Sequence, residues 1–187
     1  MTLVYVLLAI LAVVIVWLIA TYNRLVTLGM RANEAMSDID VQLKRRFDLI
    51  PNLVETVKGY LTHEREVLEN VTKARSAILD VKGDALSRAK EENALSSTLK
   101  TLFAVAENYP DLKANANFLD LQRELADTEN KIQASRRFYN TTIMELNTKI
   151  GTFPTNVVAG PFFGFKTRDF FEANGEEREN IKVSFKN

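Results

Sequence analysis

The only histidine in the chain, His63, is the residue whose surroundings come closest to those of a metal-dependent active site. It lies in the stretch HEREV at residues 63–67. A zinc-protease helix requires H-E-x-x-H, but Val67 occupies the second histidine position. A di-iron bundle requires Glu-x-x-His on two helices, and Tyr60 stands where that glutamate belongs. We therefore expect His63 to be a surface or bundle-edge residue, and the chain to have no metal, no cofactor and no catalytic residue.

A cluster of three cationic residues begins the stretch KRRFDLIPNLV at residues 44–54. Arg46 takes a position on an apolar helical seam, and Glu64 does the same 18 residues later. At about 1.5 Å per residue these two side chains are ~27 Å apart, so they cannot pair with each other. One interpretation places both at the bundle margin, with their charged ends in water. In the other, Arg46 meets a carboxylate such as Glu124 or Glu129 on a facing helix or another subunit, and this polar layer sets the register.

The overall composition argues against a nucleic-acid-binding protein. The 187 residues include 24 Lys and Arg against 24 Asp and Glu, so no net charge attracts a polyanion. The absence of cysteine excludes disulfides, thiolate zinc sites and cysteine nucleophiles. Few glycines and prolines, most of them after residue 150, indicate a helix-rich chain.

An uncharged apolar run at residues 3–20 predicts a transmembrane helix. Its 18 residues span ~27 Å as a helix, close to the hydrocarbon thickness of a bilayer. With 13 Leu, Ile and Val, insertion is favoured by about 5 kcal/mol. A cleavable signal peptide is the alternative, but the run has no basic segment before it and no A-x-A site after it. The predicted anchor residues are Leu3, Leu11, Trp17, Ala20 and Tyr22.

Charge on either side of this span predicts its orientation. Arg24 and Arg31 follow the span closely, and no Lys or Arg precedes it. The positive-inside rule then places the N-terminus outside and the body of the protein in the cytoplasm. The expected location is the cytoplasmic membrane, crossed once.

Heptad-like apolar spacing after the span predicts a coiled-coil-like, all-α bundle. From Met36 to Ile78 apolar residues recur in steps of three and four, and the phase does not change at Pro51. We therefore predict one helix from Tyr22 to about Asp80, kinked at Pro51 rather than broken. A second helix ends before Pro110, and a third begins between residues 111 and 117 and runs to 150. The fold prediction is an antiparallel bundle of three long helices, or four. The alternative is that the second and third helices run roughly end to end along the first.

The C-terminal arm differs from the helices in composition. Residues 151–171 contain six of the chain's 11 phenylalanines among glycines and prolines. Either the arm folds back and caps the bundle, or it is a contact surface for another subunit or for the membrane interface. The ending IKVSFKN alternates like a short edge strand. The candidate assembly contacts in the arm are Phe162, Phe163, Phe165, Phe170 and Phe171.

Several longer stretches resemble the bacterial LemA family of membrane-anchored helical proteins. They are YNRLV after the span, DIDVQLKRRFDLIPNLVETVKGYLTHE, ENYPDLKANANFLDLQRELADTENKI, RRFYN, FPTNVVAG and GFKTRDFFE. The resemblance implies an N-terminal anchor, a short segment outside the cell and an antiparallel helical bundle, and it implies no established reaction. A related branch is associated with organelle-like internal membranes of magnetic bacteria, which supports a membrane-organising role only by analogy.

Taken together, the predicted organisation is an anchor at 1–21, a helical bundle at 22–150 and an aromatic arm at 151–187. The predicted function is that of a non-enzymatic, membrane-anchored protein that self-associates and scaffolds membrane assemblies. Its expected partners are the lipid bilayer and other copies of itself, with no nucleic acid. The alternative is a tethered adaptor that recruits another membrane protein, such as a protease or an envelope-stress component.

Overall fold

A computed structural model describes residues 1–61 and 63–172. The predicted strand IKVSFKN and the end of the predicted arm lie outside the described residues. Within the described ranges every regular element is helical, which confirms the all-α prediction. The elements are α1 (Thr2–Lys58), α2 (Arg65–Asp80), α3 (Ala89–Ala106), α4 (Pro110–Lys113), α5 (Ala116–Gly151) and α6 (Asn156–Ala159).

The first helix carries the predicted stripe but ends earlier than predicted. α1 passes through Pro51 without interruption, as the constant phase indicated. The prediction that it continues to Asp80 is wrong, because α1 ends at Lys58 and α2 begins at Arg65. Gly59 favours termination here, and the amides of Tyr60 and Leu61 both bond to the Val57 carbonyl in a tight last turn.

The physical reason for this stop lies in the apolar face of α2. Val71 and Ile78 of α2 are buried in one cluster with Leu95 and Leu102 of α3. If α1 continued as a straight helix past Lys58, the residues that now form α2 would extend away from α3 and could not pack against it. Burying such side chains favours the turn by about 1.5–3 kcal/mol each, which outweighs the few hydrogen bonds of an unbroken helix. The described part of the chain therefore has four helices of 16 residues or more, the larger of the two predicted numbers.

The remaining helix boundaries follow local signals. α3 ends at Ala106, before Pro110, and Pro110 occupies the first turn of α4, where its missing amide costs nothing. α5 begins at Ala116, within the predicted window. Asn115 caps it by accepting a hydrogen bond from the Phe118 amide at 3.1 Å.

The chain forms two compact units. The first contains Met1–Ile39 and Gln133–Phe170, and the second contains Asp40–Ile132 together with Phe171 and Glu172. The boundaries predicted from sequence at residues 21 and 150 stay predictions.

In the second unit, a single apolar cluster joins α1, α2, α3, α4 and α5. Ile50, Leu53 and Val57 supply the α1 stripe, and Phe118 and Leu125 supply that of α5. In the first unit the buried residues of α1 and α5 recur at helical spacing: Leu25, Leu28, Ala32, Ala35, Ile39, Tyr139, Ile143 and Leu146.

Two reciprocal hydrogen bonds hold the C-terminal arm against α5 in the first unit. The Asn147 side-chain amide donates to the Arg168 carbonyl at 2.9 Å, and the Arg168 amide donates to Asn147 Oδ1 at 3.0 Å. The Arg168 guanidinium also donates to Asn33 Oδ1 of α1 at 2.6 Å. The arm therefore folds back onto both helices of this unit.

Candidate functional site: a buried arginine cluster and an aromatic surface

Arg46, the charged residue on the α1 seam, lies inside the second unit and only 1% of it is exposed. Its guanidinium forms ion pairs with Glu92 of α3 and with Glu129 of α5, the latter at 2.6 Å. It also donates to Ser96 Oγ at 2.6 Å and to the Glu92 carbonyl at 3.2 Å. The interpretation that placed this charge in water at the bundle margin does not hold, and its carboxylate partners belong to the same chain.

The three residues of the basic cluster have separate environments. Lys44 pairs with Asp48 at 3.0 Å on an exposed surface, and Arg45 pairs with Glu124 at 3.7 Å, also at the surface. Only Arg46 points inward. Exposed ion pairs such as these two contribute about 0–1 kcal/mol to stability. A buried ion pair is costly to break, because removing one partner leaves the other charge buried and uncompensated.

Two members of the arginine cluster, Glu92 and Ser96, were not found from the sequence. A signal was present, because Glu92 precedes the stripe Leu95, Leu99 and Leu102 by one helical step and is 3% exposed. A charged residue on an apolar stripe, facing another such residue on a second stripe, is typical of a register-setting polar layer. The two carboxylates and the hydroxyl of the cluster all bind the guanidinium, so we assign the cluster a structural role in holding the helices together.

Pro51 creates a second polar contact between helices. Proline has no amide hydrogen, so the carbonyl of Phe47 four residues earlier loses its helical donor. Arg75 of α2 replaces that donor, with its Nε–H donating to the Phe47 carbonyl at 3.2 Å. The same guanidinium lies 3.8 Å from the centre of the Phe47 ring, in a cation–π arrangement. The residue expected to kink α1 thus provides an attachment point for α2.

Glu64, the other charged seam residue, is half-buried just before α2. It accepts a hydrogen bond from the Tyr109 hydroxyl at 3.4 Å. Burial, followed by the negative charge of Glu64, raises the pKa of Tyr109 above its ordinary value. The neighbouring His63 is exposed. Within residues 1–61 and 63–172, no three His, Asp or Glu side chains are grouped so that they could hold a metal ion.

Five aromatic residues of the first unit lie near the end of the apolar run of α1, and we refer to them together as the aromatic surface: Tyr22, Phe153, Phe162, Phe163 and Phe165. The rings of Phe163 and Phe165 meet Tyr22 edge to face, with centroids 5.2 and 6.1 Å away. Phe153 and Phe162 are 82% and 76% exposed.

The last two phenylalanines of the predicted set lie elsewhere. Phe170 is the last residue of the first unit and is 42% exposed. Phe171 belongs to the second unit and is buried. The six phenylalanines of the arm are therefore not one continuous surface.

The beginning of α1 is long and apolar enough to cross a membrane. Residues 1–16 are all exposed, including the predicted anchor residues Leu3 and Leu11. Trp17 is half-buried, whereas Ala20 and Tyr22 are exposed. Exposing so many large apolar side chains to water is energetically unfavourable. This segment therefore meets the physical requirement for a membrane anchor.

A groove of about 700 Å³ in the second unit was also not found from the sequence. Its apolar floor includes Val54, Leu61 and Leu68, and charged residues such as Lys58 and Asp80 lie along it. The predicted continuous helix had no room for such a groove, since it forms where α1 stops and α2 begins. Gly59 was the local signal for that stop.

Comparison with known proteins identifies the family. The LemA family model matches residues 35–185. The LemA protein of Metamycoplasma hominis is 30% identical over 164 residues, which cover 82% of this chain and 74% of that protein. Magnetosome protein MamQ 2 of Paramagnetospirillum magneticum is 24% identical, covering 83% of this chain and 66% of the relative. Magnetosome protein MamQ of Magnetospirillum gryphiswaldense is 23% identical, covering 82% and 65%.

Two observations now agree on the identity of the chain. The family match covers the seam of α1 from residue 35 onward, the arginine cluster and most of the arm. The M. hominis relative matches across most of both chains. The chain belongs to the LemA family.

Proposed function

We propose that this protein is a non-enzymatic, single-pass membrane protein that self-associates and organises membrane assemblies. The apolar start of α1 supports anchoring. Relatives named as magnetosome proteins support a role at a membrane. The whole function of those relatives does not transfer directly, because this chain spans only about two thirds of their length.

The observation that carries self-association is the exposure of large apolar side chains in the first unit beyond the anchor. Met30 of α1 is 62% exposed, and Phe138 and Met144 of α5 are 51% and 58% exposed. Phe170 adds a fourth at 42%. About half of each side chain is already covered, so burying the rest is worth about 0.7–1.5 kcal/mol per residue. Anchoring copies in one membrane raises their effective concentration, so a modest interface is sufficient.

Size measurement of the full-length protein in mild detergent tests this proposal. We expect a uniform homo-oligomer that Met30→Ser, Phe138→Ser and Met144→Ser together convert to smaller species, with helical circular dichroism retained. Leu79→Ser is the matched control, because Leu79 is 68% exposed but lies in the second unit. A wild-type monomer, or an oligomer unchanged by the triple substitution, would contradict self-association through these residues.

A second candidate function, a tethered adaptor for another membrane protein, is favoured by the groove of the second unit. An apolar floor with charged edges suits an amphipathic segment of a partner. Ala77→Glu and Leu68→Glu would place charge on that floor. The adaptor function predicts a monomer that co-purifies with another membrane protein and loses it in these variants, with the triple serine variant unaffected.

We further propose that the N-terminus lies outside the bacterial inner membrane and the body in the cytoplasm, because Arg24 and Arg31 follow the span. The chain has no cysteine, so single cysteines at Thr2 and at the exposed Ser97 report topology cleanly. A membrane-impermeant maleimide should label intact cells at residue 2 and not at residue 97. The reverse pattern would overturn the orientation.

A further inference from the structure

We propose that the aromatic surface is a second membrane contact, with Phe153 and Phe162 inserted into the interfacial zone of the bilayer that holds the anchor. This inference rests on the anchoring part of the proposed function. It assigns the exposed rings of Phe153 and Phe162 to lipid rather than to another subunit.

The first step is the position of Phe153 relative to the end of the span. Phe153 and Lys149 line one side of a groove of about 320 Å³, and Trp17 and Ala20 of α1 line the other. The apolar run ends at Ala20. Phe153 therefore lies beside the last turn of the anchor, where the hydrocarbon gives way to headgroups.

The position of Phe162 follows from the ring contacts of Tyr22. Tyr22, two residues past the apolar run, touches Phe163 at a centroid distance of 5.2 Å. Phe162 precedes Phe163 directly and points outward. The amides of both residues bond to the Val158 carbonyl, so one compact turn holds the two rings. Two segments of the arm thus bring exposed rings to the same end of α1.

The direction in which α5 runs shows which of its residues lie near the anchor. Arg24 pairs with Glu145, while Lys149 and Thr152 lie beside Trp17 and Ala20. α5 therefore approaches the anchor as its numbering increases. Phe138 precedes Glu145 by seven residues and lies about 10 Å farther from the anchor.

The chemistry of the aromatic surface matches that of a bilayer interface. Exposed phenyl rings are unfavourable in water, and aromatic side chains are enriched where headgroups meet acyl chains. Lys149 is exposed in the same groove, and a lysine stem can lie along apolar groups while its ammonium reaches phosphate. A surface with rings toward the membrane and a cation at its edge fits a lipid headgroup layer.

Site-directed spin labelling of the full-length protein in phospholipid vesicles tests this placement. Single cysteines replace Phe153, Phe162 or Ser37, and each carries a nitroxide. Ser37 is an exposed residue of α1 in the same unit, and it lies 17 residues, or about 25 Å, beyond Ala20. Collisions with oxygen, which concentrates in hydrocarbon, are compared with collisions with a water-soluble nickel chelate. Flotation of the same vesicles reports separately whether the protein is anchored.

We expect labels at residues 153 and 162 to have an oxygen-to-nickel collision ratio severalfold higher than the label at residue 37. If the protein floats with the vesicles and all three ratios are alike, the inference is overturned while anchoring stands. Shielding of residues 153 and 162 from both reagents would mean that protein covers them, which also overturns it. If the protein does not float at all, the anchoring proposal itself fails.

Discussion

At the residue scale, the second unit depends on how one buried arginine is compensated. Arg46 carries one positive charge and meets two carboxylates, one of them almost fully buried. Such a cluster adds little net stability relative to a well-packed apolar core, but it strongly disfavours any register that separates its members. Arg46 and Glu92 occupy stripe positions on different helices, so the cluster selects one pairing of α1 with α3.

Replacing Arg46 by methionine should therefore be among the more damaging substitutions in the chain. Arg46→Met keeps the stem but leaves Glu92 buried without a partner, and we expect a loss of about 3–5 kcal/mol in the free energy of unfolding. Urea unfolding followed by circular dichroism measures it. Arg45→Met, at the neighbouring surface pair with Glu124, should cost less than about 1 kcal/mol. Equal losses in the two variants would mean that the cluster has no special role.

Asp84 provides a pH-dependent contribution at the turn before α3. The Ser87 amide donates to its carboxylate at 3.0 Å and lowers the pKa of Asp84 below the ordinary 3.8, despite partial desolvation. A lowered folded-state pKa means that the charged form stabilises the fold above pH 3.8 and that this contribution is lost as the pH falls through the folded-state pKa.

Asp84→Ala should thus lower stability at neutral pH and converge with the wild type in acid. The carboxylate is largely solvated, so we expect a difference of only about 0.5 kcal/mol at neutral pH. Unfolding curves at decreasing pH measure it. Asp84→Asn keeps an acceptor without the charge and should not reproduce the pH dependence of the wild type. A difference between Asp84→Ala and wild type that stays constant into acid would refute the charge-based explanation.

At the element scale, the packing of α2 explains two features of α1. α1 stops at Lys58 because the apolar face of α2 is buried with α3. It also contains Pro51 at a point where the released Phe47 carbonyl accepts a hydrogen bond from Arg75 of α2. A helix-breaking residue on an exposed face is tolerated because a neighbouring helix satisfies the group that it leaves unpaired.

A double-mutant cycle between Pro51 and Arg75 tests this link. Arg75→Met should cost about 1–2 kcal/mol in the wild type, where Phe47 O then loses its donor. In a Pro51→Ala background the new amide of residue 51 can bond to Phe47 O, so the cost of Arg75→Met should fall by about 1 kcal/mol. The cycle is measured by urea unfolding of all four proteins. Strict additivity would show that Arg75 acts only through its contact with the Phe47 ring.

At the scale of the whole molecule, one helix contains both the candidate membrane span and the buried stripe that begins the folded body. The exposed segment at residues 1–16 and the buried stripe that begins at Leu25 belong to the same α1. Because the anchor residues before Trp17 make no buried contacts, their polarity should affect membrane association without affecting the fold.

Leu8→Arg with Leu11→Arg should release the protein from vesicles. Each central arginine costs about 2.5–3.5 kcal/mol, and two of them offset the roughly 5 kcal/mol that favours insertion. Flotation of reconstituted vesicles measures the loss, and circular dichroism should show the body still helical. Leu79→Arg, at an exposed position of the second unit, should float like the wild type. Flotation of the double variant would argue against this segment as the anchor.

Much of the fold was accessible from the sequence because its signals are local. The apolar run of the anchor, the stripe of Ile39, Leu43 and Ile50, and the end of α3 before Pro110 all depend on residues within a few helical turns. In the structure the apolar run is helical, the stripe residues are buried and α3 ends before Pro110, as predicted. Arg46 was recognised as exceptional for the same reason, since a charge on an apolar stripe is visible within one heptad.

The tertiary structure alone decided which partners these elements find. The turn after Lys58, the choice of Glu92 and Glu129 for Arg46, and the docking of Phe163 on Tyr22 all join residues that are distant along the chain or depend on such contacts. Apolar periodicity predicts that one face of a helix is buried, but it does not identify the helix or segment that packs against that face. Sequence therefore determined an all-helical member of the LemA family with an N-terminal helix apolar enough to cross a membrane. Long-range packing determined which of its charged and aromatic residues are enclosed and which are exposed.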